Sequence, residues 1–171
     1  MPQQRPRTWL LPPLLRLWRV LPLPGWLRAQ AIWWTNHHYV VAVAALIWDE
    51  EGRLLLGRHT YLPGAGWSLL GGCLHGLESP RAGLARELAE ELGATVEIGP
   101  PVAWVTLPAP RRVVIGFTCY WRGGAFRPNV EIAEVAYFSV ADALQLVRRD
   151  AQALIRSAAR ERAGIRRATV R

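Results

Sequence analysis

Glu87, Glu90 and Glu91 stand at i, i+3 and i+4 within the segment from Gly72 to Ala94. On a helix, at ~100° per residue, they share an arc of roughly 100°. Three like charges on one arc repel, and Glu87 with Glu91 forms a destabilising i,i+4 pair. Arg86 offsets part of this by reaching Glu90, and a divalent cation would offset more. Clustered carboxylate oxygens suit Mg²⁺, which keeps some of its waters and bridges to substrate phosphates. Taken alone, however, three glutamates on a helix are more often a solvated face than a site.

The elements around them decide how they are held. Ser79 is a good N-cap, Pro80 fits the first helical position and Gly93 fits the left-handed stop after the last turn. Leu84, Leu88 and Leu92, with Ala85 and Ala89, make one apolar face, and the glutamate arc borders it. Tyr39 to Trp48 is a continuous apolar run rich in β-branched residues, which reads as a strand buried on both faces. Asp49 to Gly52 is a turn, and Arg53 to Gly57 resumes as a paired strand. A short strand is expected at Trp67 to Leu70, then Gly71-Gly72 opens a loop ending at Ser79. Further strands are expected near 95–98, 102–107, 112–121 and 135–138, and helices over 141–149 and 151–163. The pattern predicts one mixed α/β (α+β) domain over 36–165, with an extension at 1–35 and a basic tail at 166–171.

The net charge of +8 suggests a nucleic-acid partner until it is mapped along the chain. Residues 1–28 hold five Arg and no acids, 148–171 hold eight Arg against Asp150 and Glu161, and 29–147 hold eight Arg against eleven acids. The basicity therefore belongs to the ends, and no specific nucleic-acid partner is expected. The apolar run from Trp9 to Leu27 is interrupted by Pro12, Pro13, Pro22 and Pro24 and carries Arg16 and Arg19, so it reads neither as a membrane span nor as a signal peptide. Residues Leu14 to Leu21 could form one or two helical turns. These either touch a membrane surface weakly or pack on the domain or a second copy, as in a homodimer. Cys73 and Cys119 have no metal-ligand spacing, and a reducing cytoplasm fits them best.

The segment GCLHGLESPRAGLARELAEELGA resembles the Nudix box: Gly72, then Glu78, Arg86, Glu87, Leu88, Glu90, Glu91 and Gly93 all match its fixed positions. The box covers 23 residues. A weaker resemblance of order and spacing extends over about 39–147, with a VAVAALIWDEEGRLLLGR hairpin before the box and EVAYF after it. Two small departures occur, Leu70 where many members have Pro and Ala94 in place of a larger aliphatic residue. The resemblance implies a Nudix-like α/β/α sandwich with a mixed β-sheet between helices. It also implies hydrolysis of a pyrophosphate bond by water, aided by Mg²⁺ or Mn²⁺.

By that resemblance Glu87, Glu90 and Glu91 are the metal carboxylates, the Gly71 carbonyl completes the coordination, Arg86 orients the glutamates and Glu78 ties the loop to the helix. The general base is a box glutamate or an acid on a later loop, with Glu131 preferred to Glu134. Arg58 and His59 end the second strand near the expected cleft, where phosphate contact and an ordinary surface role are equally open. The same holds for Arg111 and Arg112. Trp104 or Trp121 could stack on a base. His37, His38 and His75 are not spaced as a zinc site, and Cys73 has no base partner to make it a nucleophile. Pro110 resembles a proline of ADP-ribose-type members. The expected substrates are ADP-ribose and other nucleoside diphosphate sugars, or nucleoside triphosphates, with dinucleoside polyphosphates behind. The alternative function is a non-catalytic nucleotide sensor on the same fold.

Overall fold

A computed structural model describes residues 24–64, 66–109 and 111–169, with side chains through 163. The chain divides into two compact units, Met1–His38 and Tyr39–Arg171. The helical turns expected at Leu14 to Leu21, and Pro110, lie outside the described residues. In the first unit α1 (Gly25–Thr35) buries none of its residues. It ends where the Asn36 side-chain amide donates to the Ile32 carbonyl at 2.7 Å.

The second unit carries two three-stranded sheets. β1 (Val40–Ile47) runs parallel to β5 (Arg111–Gly123), and β5 pairs antiparallel with β4 (Thr95–Pro108). β2 (Leu54–His59) lies between β3 (Trp67–Ser68) and β6 (Ile132–Phe138), antiparallel to both. The turn expected after β1 is present, with Gly52 at φ 81° and its N–H donating to the Asp49 carbonyl. The hairpin is not. β1 and β2 belong to different sheets and meet only through an isolated bridge between Trp48 and Leu54. Instead β1 has β5 on one edge and, on the other, the Leu70–Cys73 segment, through bridges at Ala45–Leu70 and Ala42–Cys73. Both faces of β1 are covered, its alternate residues entering two different core layers, which is what its apolar run required.

Alternation along β1 and β2 divides the interior into two layers. Ala44, Leu46, Trp48, Leu54 and Leu56 pack with Ala143 of α3 (Val140–Leu146) and with Leu154, Ile155 and Ala158 of α4 (Arg149–Thr169). Val43, Ala45, Ile47 and Leu55 face the other way, onto Leu84, Leu88 and Leu92 of α2 (Pro80–Leu92). The result is the expected α/β/α sandwich. α4 continues past residue 165, where the sequence reading ended the domain. β4 is one strand where two were expected. Gly99-Pro100-Pro101 is absorbed as irregularities in the pairing, since a proline has no N–H to give the ladder.

α2 begins and ends as its sequence dictates. The Ser79 hydroxyl accepts from the Ala82 N–H at 3.2 Å, Pro80 opens the helix and Gly93 closes it at φ 60°. Its three buried leucines each contribute on the order of 1.5–3 kcal/mol and fix the helix's rotation, and so the directions of its glutamates.

Candidate active site

The three box glutamates are buried to different degrees. Glu91 is 1% exposed, the Glu87 side chain 12% and the Glu90 side chain 58%. One Glu91 oxygen accepts from the Gly71 N–H at 2.7 Å. Gly71 must be glycine: its φ is 129° and a Cβ there would land on the Val43 carbonyl. Gly72 is glycine for a different reason, because a Cβ would strike the Glu87 carboxylate. Backbone bonds seat both on β1, from Val43 N–H to the Gly72 carbonyl and from Ala45 N–H to the Leu70 carbonyl, each at 2.8 Å.

Arg86 ties this loop to α2. It donates to Glu78 at 2.8 Å, to Glu87 at 2.8 Å and to the Cys73 carbonyl at 3.2 Å, and lies 3.5 Å from Glu90. Glu78 also accepts from the His75 N–H at 2.6 Å. The Arg86 guanidinium, aided by that amide, holds the Glu78 carboxyl down to about 2. The same carboxylates raise Arg86 above its ordinary value.

Glu91 is driven the opposite way. Burial pushes its carboxyl up to about 8, against the Gly71 N–H, and the charges of Glu87, Glu131 and Glu90 add to the rise. His59 is also buried, and burial lowers it, which keeps the ring neutral. The 3.9 Å between His59 Nδ1 and Glu91 is therefore no ion pair. The Nδ1 sits 3.2 Å from the Tyr61 hydroxyl.

Glu87, Glu91, His59, Tyr61, Gly71, Gly72 and Glu131 line one cavity of about 370 Å³. Arg112, Arg148 and Asp150 also line it. Glu90 is not on its surface, and among the described residues no three His, Cys, Asp or Glu side chains converge into a ready-made metal site. Arg58 and Glu134, considered for phosphate contact and for the base, pair with each other at 3.1 Å and do not line the cavity. The pairing of β2 with β6 shifts register between Arg58 and His59, and there His59 is buried while Arg58 stays exposed. Trp104 and Trp121 do not line the cavity either.

Sequence reasoning missed Tyr61, Arg148, Asp150 and Asn129. The first three follow no period. Asn129 carries a local turn signal in Pro128-Asn129, but nothing in it announces the long-range contacts described below.

A buried carboxylate beside a second one, with a third from a distant loop across a small cavity, is an arrangement suited to a divalent cation and a phosphate group. The model of the NUDIX domain matches residues 38–158. The chain belongs to the Nudix family. It is 33% identical to a MutT-like protein of Streptomyces ambofaciens over 58% of this chain and 63% of that protein. It is 34% identical to the NAD-capped RNA hydrolase NudC of Mycobacterium tuberculosis over 67% of this chain and 38% of that one. The chain thus spans less than two thirds of the length of these curated relatives. Among solved structures, an ADP-ribose pyrophosphatase from Streptococcus suis matches with a TM-score of 0.58 and 28% identity, covering 72% of this chain and 93% of that chain.

Proposed function

We propose that this chain is an active Mg²⁺- or Mn²⁺-dependent pyrophosphohydrolase that cleaves the diphosphate of a nucleotide. The substrate is ADP-ribose, another nucleoside diphosphate sugar or a nucleoside triphosphate. The observation that carries the proposal is Glu91, a carboxylate lodged in an apolar layer beside Glu87 and raised by burial and by its acidic neighbours. A cation is the partner this donor set lacks. Glu87, Glu91 and the Gly71 carbonyl would hold it, since β1 uses the carbonyls on either side of Gly71, with Glu90 turning in from its exposed position on α2. Bound there, it supplies positive charge against the diphosphate and lowers the pKa of an attacking water.

The chain's own groups do the rest. The Gly71 N–H fixes one Glu91 oxygen. Arg86 restrains Glu87 by a 2.8 Å bond and keeps the Glu78 loop in register with α2. Glu131, on the cavity wall, takes the proton of the water. His59, kept neutral, orients the Tyr61 hydroxyl towards a substrate oxygen. Arg112 and Arg148 bring positive charge to the cavity lining. A cavity of about 370 Å³ is at the small end of ligand pockets, ~300–1,000 Å³, which suits one nucleotide. The similarity to an ADP-ribose pyrophosphatase supports the sugar-nucleotide side of the choice.

Two further points belong to the same proposal. Cys73 and Cys119 are both free thiols, which suits the cytoplasm. No helix among the described residues is long and apolar enough to cross a membrane. α1 nevertheless exposes Trp26, Ile32, Trp33 and Trp34, a surface fit for weak contact with a membrane or with a second copy. The test of the activity is release of nucleoside monophosphate from a substrate panel with and without Mg²⁺, beside Glu91→Gln. Equal rates for the two proteins would refute it. Tight nucleotide binding with no turnover across the panel would establish a sensor instead.

A further inference from the structure

Asn129 lies in the loop before β6, two residues from Glu131, and every hydrogen-bonding capacity of its side-chain amide is used. The Oδ1 accepts from the Glu131 N–H at 2.9 Å and from the Ile132 N–H at 2.7 Å. The Nδ2 donates to the Glu91 carbonyl at 2.8 Å and to the Glu90 carbonyl at 3.2 Å. An Asn amide has two donors and two acceptor sites, so this one is saturated. Its orientation is unambiguous, because reversing it would set nitrogen against N–H and oxygen against carbonyl.

Both ends of this bridge matter to the site. The Glu90 and Glu91 carbonyls are in the last turn of α2, where helical carbonyls have no partner within the helix. Gly93 N–H satisfies Ala89, one turn earlier, and Asn129 satisfies the next two. The amide therefore caps the very turn that carries Glu90 and Glu91. At its other end it fixes the backbone of Glu131. That loop is held from the far side as well, by Thr60 N–H to the Glu131 carbonyl at 2.9 Å and the Thr60 hydroxyl to the Val130 carbonyl at 2.7 Å. Glu131 comes from a segment about forty positions away from Glu91 in sequence, and among the described residues the hydrogen bonds from that loop to α2 are those of Asn129.

We propose that Asn129 is a positioning residue for the hydrolysis: it sets the spacing between Glu131 and the helix turn bearing Glu91, acting through Glu131 and without touching substrate. This rests on the roles given above to Glu131 and Glu91. Displacement of a catalytic group by about 1 Å can lower a rate by ~100-fold; without the Asn129 side chain the Glu131 loop keeps its Thr60 bonds and the Asn129 N–H to Ile132 carbonyl bond but loses its hydrogen bonds to α2.

The test compares Asn129→Ala, Asn129→Ser, Glu131→Gln and the double variant Asn129→Ala/Glu131→Gln with wild type, each checked for folding by its melting curve. Asn129→Ala should lower kcat by roughly 10- to 100-fold with KM little changed. In the Glu131→Gln background the same substitution should have almost no further effect, because residues acting as one unit are not additive. Ser can accept from the Glu131 N–H but is too short to reach α2, so Asn129→Ser should stay as slow as Asn129→Ala. Equal losses in the two backgrounds, a parallel rise in KM, or recovery of the rate by Ser would overturn the proposal. Amide hydrogen exchange gives a readout independent of turnover: Glu131 and Ile132 should exchange faster in Asn129→Ala, and unchanged exchange there overturns the proposal even if no substrate is known. A wild-type rate for Glu131→Gln, by contrast, removes the base role assigned to Glu131, and failure of the whole panel with Glu91→Gln removes the activity.

Discussion

Glu91→Gln should stabilise the metal-free protein while abolishing its activity. Gln has the shape of Glu, and its carbonyl oxygen can keep the 2.7 Å bond from Gly71 N–H. What it removes is a carboxyl that burial has pushed from 4.5 up to about 8. The sign follows from which state binds the proton more tightly. Below pH 4.5 the group is protonated folded or unfolded and contributes nothing to pH dependence. As pH rises from 4.5 towards 8 the unfolded chain releases its proton and the folded one does not, so the folded state loses ground. At ~1.36 kcal/mol per pH unit, the loss reaches about 3 kcal/mol at pH 7.

Relaxation around the buried group reduces this, so roughly 1–3 kcal/mol should be recovered in the variant, or about 2–10 °C in melting temperature for a domain of this size. The assay is thermal melting of both proteins in excess chelator from pH 4 to pH 8. The two curves should meet at the acid end and separate as pH rises. Mg²⁺ should then raise the melting temperature of wild type and leave Glu91→Gln almost unmoved, because a ligand that binds only the folded state stabilises it. A variant that melts below wild type in chelator at pH 7, or a gap that does not vary with pH, would refute the reasoning.

Three other outcomes follow from the same geometry. Gly71→Ala puts a Cβ against the Val43 carbonyl at a φ of 129°, and should cost about 1–3 kcal/mol or more of stability; an unchanged melting curve would show that the loop shifts freely. Arg58→Ala should alter stability by no more than ~1 kcal/mol and leave KM as it is, since its partner is the exposed Glu134; a clear rise in KM would return it to the substrate site. Glu78→Gln should lower kcat by loosening Arg86. Because the folded Glu78 carboxyl is held down to about 2, its stabilising contribution is full above pH 4.5 and vanishes as pH falls through 2; a wild type–variant gap in melting temperature that fails to close in acid would place the effect elsewhere.

What was legible in the sequence was local. Ser79, Pro80 and Gly93 marked the ends of α2, and the leucines marked its buried face, because those signals act within a few residues. The partition of the strands was not legible. A turn at Asp49 to Gly52 looks the same whether it joins partners in one sheet or carries the chain from one sheet to another, and β1 found its partner in β5, far along the chain. The Arg58–Glu134 pair and the reach of Asn129 to α2 are likewise products of long-range register, to which a single sequence gives no key.

The burial of the glutamates, however, was written in the helix. At ~100° per residue, Glu91 lies about 20° from Leu84, Glu87 about 60° and Glu90 about 120°. That order is the order of their burial, from 1% exposed for Glu91 to a side chain 58% exposed for Glu90. The three acids are thus not equivalent members of a cluster. Glu91 occupies a position that the leucine stripe would fill, and an apolar residue there would complete the core at no electrostatic cost. A carboxylate in that place weakens the metal-free fold, and the cation proposed above would offset that cost by sitting against it. The instability and the site are one feature, which is why stability in chelator, read against pH, reports on the same residue that turnover does.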